Sequence, residues 1–203
     1  MRKITAGLFQ SLDGVVQAPG GPNEDESGGF AFGGWVVPFF SETTGAFIDA
    51  IFTPPFDLLL GRKTYDIFAS HWPKISGDAF ADSFNAAAKY VMTTSDAPLE
   101  WENSYKFADF DAIAALKQTD GPDLVVQGSS TLYPGLMEAG LIDRLYLITF
   151  PIILGTGKRA LPGTAPAAFR MIDHRVSDNG VTIAVFEPSG EVGTGSFALP
   201  DEG

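Results

Sequence analysis

The run Phe56-Asp57-Leu58-Leu59-Leu60 restricts the fold more than any other stretch of the chain. A strand this continuously apolar has no wet face, so both of its faces must be covered by other elements. It ends in Gly61, two adjacent cations, Arg62 and Lys63, and Thr64 at the start of a helical pattern. That junction builds an anion site, because the first N–H groups of the helix lack intrahelical partners and the helix dipole is positive there. Paired cations at such a point stand out in a chain of formal net charge −12. They single out a phosphate-bearing small molecule as ligand.

The remaining pattern repeats the alternation. Strand patterns at 4–12, 90–93, 105–107, 123–127 and 144–150 interleave with helical patterns at 43–52, 64–69, 79–88 and 111–118, and with a helix from the Gly128 exit to Ala139. Asp111 is the expected N-cap of the fourth of these helices, and Gly140 ends the fifth. Pro54-Pro55 breaks the first. Patterns at 169–176 and 181–187 flank Asp178-Asn179-Gly180 and predict a terminal antiparallel hairpin. The expected class is α/β, with a central mixed, mostly parallel sheet. One domain covers 1–190, and 191–203 form a polar tail relieved by Phe197-Ala198-Leu199. The stretch 17–34 is rich in Gly, Pro and acid, predicts a long loop, and runs into Trp35, Val36 and Val37.

Composition removes whole classes of function. With 25 acidic against 13 basic residues the chain is expected to avoid nucleic acid and anionic membranes. No cysteine is present, which excludes disulfides, thiolate zinc sites and thiol catalysis. No segment approaches the roughly 18 apolar residues of a membrane span, and Met1-Arg2-Lys3-Ile4 enters a strand without a signal-peptide pattern. A cytoplasmic location is the expectation. His71 and His174 lack metal-ligand spacing, so no metal is expected and both are read as structural.

Ligands of open α/β sheets bind beyond the carboxyl ends of the strands. Three such exits carry small or hydroxyl residues: Gly61-Arg62-Lys63-Thr64, Thr93-Thr94-Ser95 and Gly128-Ser129-Ser130-Thr131. Together they predict a dinucleotide cradle. Competing motifs fail. Gly155-Thr156-Gly157-Lys158-Arg159-Ala160 is followed by Leu161-Pro162-Gly163 where a helix should open, so it reads as a turn. Gly157-Lys158 lacks the Ser or Thr of a Walker loop, and no G-x-S-x-G occurs. Asp13, in Ser11-Leu12-Asp13-Gly14, fits a turn as well as it fits a site.

With these residues the chain resembles the dihydrofolate reductase-like superfamily, most closely the reductase domain of bacterial riboflavin-biosynthesis deaminase-reductases and its stand-alone relatives. The resemblance rests on Ser11-Leu12-Asp13-Gly14, Leu60-Gly61-Arg62-Lys63-Thr64-Tyr65, Gly128-Ser129-Ser130-Thr131-Leu132-Tyr133, Gly140-Leu141-Ile142-Asp143-Arg144-Leu145-Tyr146-Leu147 and Pro151-Ile152-Ile153-Leu154-Gly155-Thr156-Gly157. It implies a three-layer fold with helices on both faces of the sheet, and NADPH as cofactor. By position it implies that Gly61, Arg62, Lys63 and Thr64 hold the 2′-phosphate and pyrophosphate, that Thr94 and Ser95 border the adenosine, and that Gly128, Ser129, Ser130, Thr131 and Leu132 cradle the pyrophosphate. Leu8, Val16 and Gln17 would flank the nicotinamide, Phe68 would face a small-molecule substrate, and Trp35 would wall its pocket. A homodimer is implied too.

Departures from the family pattern matter as much. Dihydrofolate reductases place a buried acid in the first helix and a threonine on a later strand; here those places fall at Gly45 and Ile148. That argues against true dihydrofolate reductase activity. It leaves Asp13, Glu42 and Asp49 as candidate proton donors. The expected activity is NADPH-dependent reduction of a small heterocyclic or imine/carbonyl substrate, and the alternative is a non-catalytic nucleotide-binding or ligand-sensing module.

Overall fold

The computed structural model describes residues 1–53 and 55–197; Pro54 and residues 198–203, with the Ala198-Leu199 end of the apolar tail segment, lie outside them. The elements in chain order are β1 (Ile4–Ser11), α1 (Glu42–Ile51), β2 (Phe56–Gly61), α2 (Arg62–His71), α3 (Ala79–Ala86), β3 (Lys89–Met92), β4 (Ser104–Phe107), α4 (Phe110–Lys117), β5 (Asp123–Gln127), α5 (Tyr133–Glu138), β6 (Arg144–Phe150), β7 (Ala168–Val176) and β8 (Thr182–Gly190). The eight strands form one sheet in the order β4-β3-β2-β5-β1-β6-β8-β7. Pairings from β4 to β6 are parallel, while β6–β8 and β7–β8 are antiparallel. The expected class and the terminal hairpin are both present.

β2 is buried along its whole length, as its composition requires. One face packs with α1, α2 and α3 through Ile48, Phe52, Tyr65 and Phe84. The other packs with α4 and α5 through Ile113, Tyr133 and Leu136. Asp57, the one polar residue of the run, is satisfied by an ion pair with buried Arg2 and by the Ala88 N–H at 3.0 Å. Burying a charge is tolerable only when it is paired in this way.

Side chains cap three of the helices: Ser41 for α1, Asp78 for α3 and Asp109 for α4. The expected cap Asp111 is therefore corrected to Asp109. Asp109 has the extended backbone that lets its carboxylate accept the Ala112 N–H at 2.8 Å, whereas Asp111 already lies in the first turn. α2 has no side-chain cap. The helix expected to run from Gly128 to Ala139 is a 3-10 turn, Ser130–Leu132, followed by α5.

Candidate active site

β2 and β5 pair only as far as Leu58↔Val125, and β1 and β5 only as far as Gly7↔Gln127. β2 continues to Gly61 and β1 to Ser11. Beyond the end of β5 the flanking strands therefore have no strand between them, and a cavity of about 840 Å³ opens at this position. Its size falls within the usual range for small-molecule and cofactor sites.

The end of the cavity nearest the strand exits is polar. Lys63 and Thr64 from α2 line it, with residues 127–131 beyond β5 and Lys158 from the loop after β6. The two exits are stitched together: Gly61 N–H donates to Ser129 Oγ at 2.7 Å, and Ser129 N–H donates to Thr64 Oγ1 at 3.0 Å. Ser129 holds left-handed backbone (φ 57°) to do this. Both hydroxyls keep their own hydrogens for a ligand. Gly128 also has positive φ (66°), and a Cβ there would sit 3.2 Å from Thr64 Cγ2. Glycine is what lets these two exits meet.

The 17–34 loop closes over this end. Asp25 reaches between the lysines, with Oδ1 2.6 Å from Lys63 Nζ and Oδ2 2.7 Å from Lys158 Nζ. Burial pushes the Asp25 carboxyl up, but bonds from Lys158, Lys63 and Ser27 outweigh it and hold it well below the usual carboxylate range. Gln17 is the hub of the loop. Its amide donates to Asp25 O and Ser27 O at 2.9 and 2.8 Å, and its Oε1 accepts the Lys158 N–H at 3.0 Å. Glu24 also lines the cavity; burial raises its pKa against the opposing N–H bonds from Gly20 and Gly21.

The far end is apolar. α1 presents Gly45, Ile48 and Asp49, its C-cap residue Phe52 continues the same spacing, and α2 adds Ile67 and Phe68. Trp72, Ile75, Phe80 and Phe84 complete the wall. The rings form one network, with centroid separations of 4.6 Å for Phe80–Phe84, 4.9 Å for Trp72–Phe84 and 5.4 Å for Phe52–Phe80.

The chain matches the RibD C-terminal domain family over residues 2–183. It belongs to that family. A protein from Shewanella sp. PV-4 named for riboflavin biosynthesis superposes with a TM-score of 0.68 at 20% identity, covering 92% of this chain and 99% of that one. A diaminohydroxyphosphoribosylaminopyrimidine deaminase/5-amino-6-(5-phosphoribosylamino)uracil reductase from Thermotoga maritima gives 0.62 at 15%, covering 93% of this chain and 57% of that one. Dihydrofolate reductase from Enterococcus faecalis, complexed with NADP(H), gives 0.60 at 16%, with coverages of 92% and 96%. The fold is thus dihydrofolate reductase-like, as the resemblance implied.

Within this RibD C-terminal domain, the cavity gathers Leu8, Val16, Gln17, Asp49, Gly61, Lys63, Thr64, Phe68, Gly128, Ser129, Ser130 and Thr131 from the expected site residues. Others stand apart. Arg62 turns away from the cavity: its Nε bonds both Asp66 oxygens at 2.8 and 3.0 Å, and its Nη1 donates to Ala97 O at 3.1 Å. That contact ties it to the loop holding Thr94 and Ser95, which are exposed and also outside the cavity. Leu132 is buried in the core.

Three expectations need correction. Trp35 is not a pocket wall: it is buried against Phe150, and its indole N–H donates to Gln17 O at 2.8 Å, so it anchors the loop. Glu42 is exposed at the first position of α1, away from the cavity. Asp13 accepts from Ser11 Oγ and from the N–H groups of Leu154 and Gly155. The Ser11 bond above all lowers its pKa to about 2, which makes it a tie between loops rather than a proton donor. Neither histidine lines the cavity.

Sequence reasoning missed Lys158, Asp25 and Glu24. Lys158 was legible only as part of a turn, since it meets Asp25 across 133 residues of chain. No cluster of His, Cys, Asp or Glu suited to a metal occurs among the described residues, and no helix there is long and apolar enough to cross a membrane.

Proposed function

We propose that the protein is an NADPH-dependent reductase that passes hydride to a small heterocyclic or imine/carbonyl substrate. One observation carries this reading: a single cavity joins an uncapped helix N-terminus and two lysines to an aromatic chamber. The residues fit the phosphates of a dinucleotide. Lys63, Lys158 and the first turn of α2 supply positive charge, residues 128–131 supply amides and hydroxyls, and Gly128 keeps the backbone approach open. In this reading Arg62 exchanges its Asp66 contact for the adenosine 2′-phosphate outside the cavity and Thr94 and Ser95 border the base; its bond to Ala97 O, beside those residues, supports the assignment.

When bound, the nicotinamide ring supplies the hydride. The chain's own work is positioning and exclusion of water. Leu8 and Val16 would supply apolar wall for the nicotinamide, and Phe68 and Phe52 would contact the substrate. The matching proton comes from solvent or from Asp49, the α1 acid that lines the chamber. Asp25 holds the lysines as a ligand's phosphate would, so cofactor entry requires the 17–34 loop to give up these contacts.

A second reading, a non-catalytic nucleotide-binding or sensing module, is favoured by Gly45 in the place of the buried acid. The deciding experiment is NADPH fluorescence titration of the wild type and the Arg62→Ala/Lys63→Ala variant, followed by oxidation assays over pterins, flavins, quinones and pyrimidine imines. Binding with oxidation supports the reductase. Binding without oxidation supports the module, and no saturable binding removes both.

A further inference from the structure

The charge distribution along the cavity points to the kind of substrate the chamber takes, an inference that rests on the reductase reading above. The cavity-lining cations are Lys63 and Lys158, and both are at the strand exits, held by Asp25. The far end contributes no cation. His71 and Lys74, on the segment that carries Trp72, do not line it. Its formal charges are negative: Asp49, exposed on α1, and Asp78, whose Oδ1 accepts the Ala81 N–H at 2.9 Å as the cap of α3. The rest of that wall is uncharged, with Ile48, Phe52, Phe68, Trp72, Phe80 and Phe84 among its residues. An anionic group brought here loses hydration, meets like charge and gains no counter-ion, each of which is unfavourable in an apolar enclosure.

We propose that the chamber selects an uncharged, planar aromatic or heteroaromatic compound bearing a reducible C=N or C=O bond, and that it rejects phosphorylated and carboxylated substrates. The Thermotoga maritima relative carries a phosphoribosyl group in the name of its substrate; nothing in this wall is equipped to hold one. A bound reduced dinucleotide would supply hydride to the carbon of the double bond and be oxidised in doing so, and Asp49 or solvent would give the proton to its nitrogen or oxygen. Ring faces give such a substrate offset or edge contacts without desolvating a charge.

The test uses lumichrome and riboflavin 5′-phosphate, two flat tricyclic compounds of which only the second carries an anionic phosphate, on a ribityl chain. Saturation with NADP+ first occupies the lysine end, so the phosphate cannot bind there instead. That titration reads the cofactor assignment by itself, and its failure overturns both the assignment and this inference. With NADP+ bound, calorimetry is expected to show lumichrome at least tenfold tighter than riboflavin 5′-phosphate. Equal or reversed affinities, or no binding of either, overturn the inference while leaving the cofactor assignment standing. Asp49→Lys, a change on an exposed helix position, is expected to tighten riboflavin 5′-phosphate several-fold and so to narrow its disadvantage relative to lumichrome. No gain for the phosphorylated ligand would contradict the charge argument.

Discussion

Asp25→Asn separates the competitor from the cradle. In the folded protein the Asp25 carboxylate neutralises Lys63 and Lys158 at 2.6 and 2.7 Å, while its own side chain is 11% exposed and the lysines are 55% and 43% exposed. Pairs with one half-exposed partner are worth roughly 0.2–1 kcal/mol each, so breaking both costs a ligand about 1 kcal/mol. Asparagine retains the shape of the side chain and loses the charge. Dinucleotide affinity should then rise about fivefold, since 1.4 kcal/mol corresponds to tenfold. The pyrophosphate is common to both cofactors, so NADPH and NADH should gain equally. Fluorescence titration at low and moderate salt reads the change, and the gain should shrink as salt screens the lysines. Unchanged or weaker binding of both cofactors would show that phosphate does not replace the Asp25 carboxylate.

Arg62→Ala should act differently, weakening NADPH about tenfold through loss of one charge-assisted bond while leaving NADH nearly unaffected, as read by paired titrations. Ser129→Ala leaves the buried Gly61 N–H without its acceptor and should cost about 1–3 kcal/mol in urea unfolding. Ser129→Gly loses the same bond but relieves the left-handed backbone, so it should be the milder change by about 1 kcal/mol; equal stabilities would contradict this. Burial lowers the Lys89 pKa to about 8, below the roughly 10.4 of an unfolded chain. The unfolded state therefore binds more protons between those values, and stability should rise with pH from about 8 toward 10. Lys89→Met should flatten that rise in denaturation curves recorded across the interval.

The sequence made the sheet legible because its strands carry their own evidence. The apolar run of β2 demanded two covered faces, and Asp178-Asn179-Gly180 marked the hairpin of β7 and β8. The glycine exits could be read as a cradle because glycine and hydroxyl residues sit directly at the strand ends. What the hydroxyls do there was not legible, since Ser129 and Thr64 bond each other across 65 residues. The acids were read least well. Asp13, Glu42 and Asp49 look alike in sequence, and only three-dimensional placement separates a loop tie, an exposed helix start and a cavity wall. The loop misled for a related reason: its polar composition concealed Gln17, Ala18 and Phe30, which are buried because Trp35 and Lys158 fold it down.

The central claim, that Lys63 and Lys158 face the phosphates of a reduced dinucleotide, is tested most directly by NADPH titration of Lys63→Ala/Lys158→Ala against the wild type. Saturable wild-type binding weakened roughly 100-fold in the double variant is the predicted result, given about 1.5–3 kcal/mol for each charge-assisted bond reduced by solvent exposure. Wild-type protein that does not saturate with NADPH, or a double variant that binds it as tightly, would contradict the account.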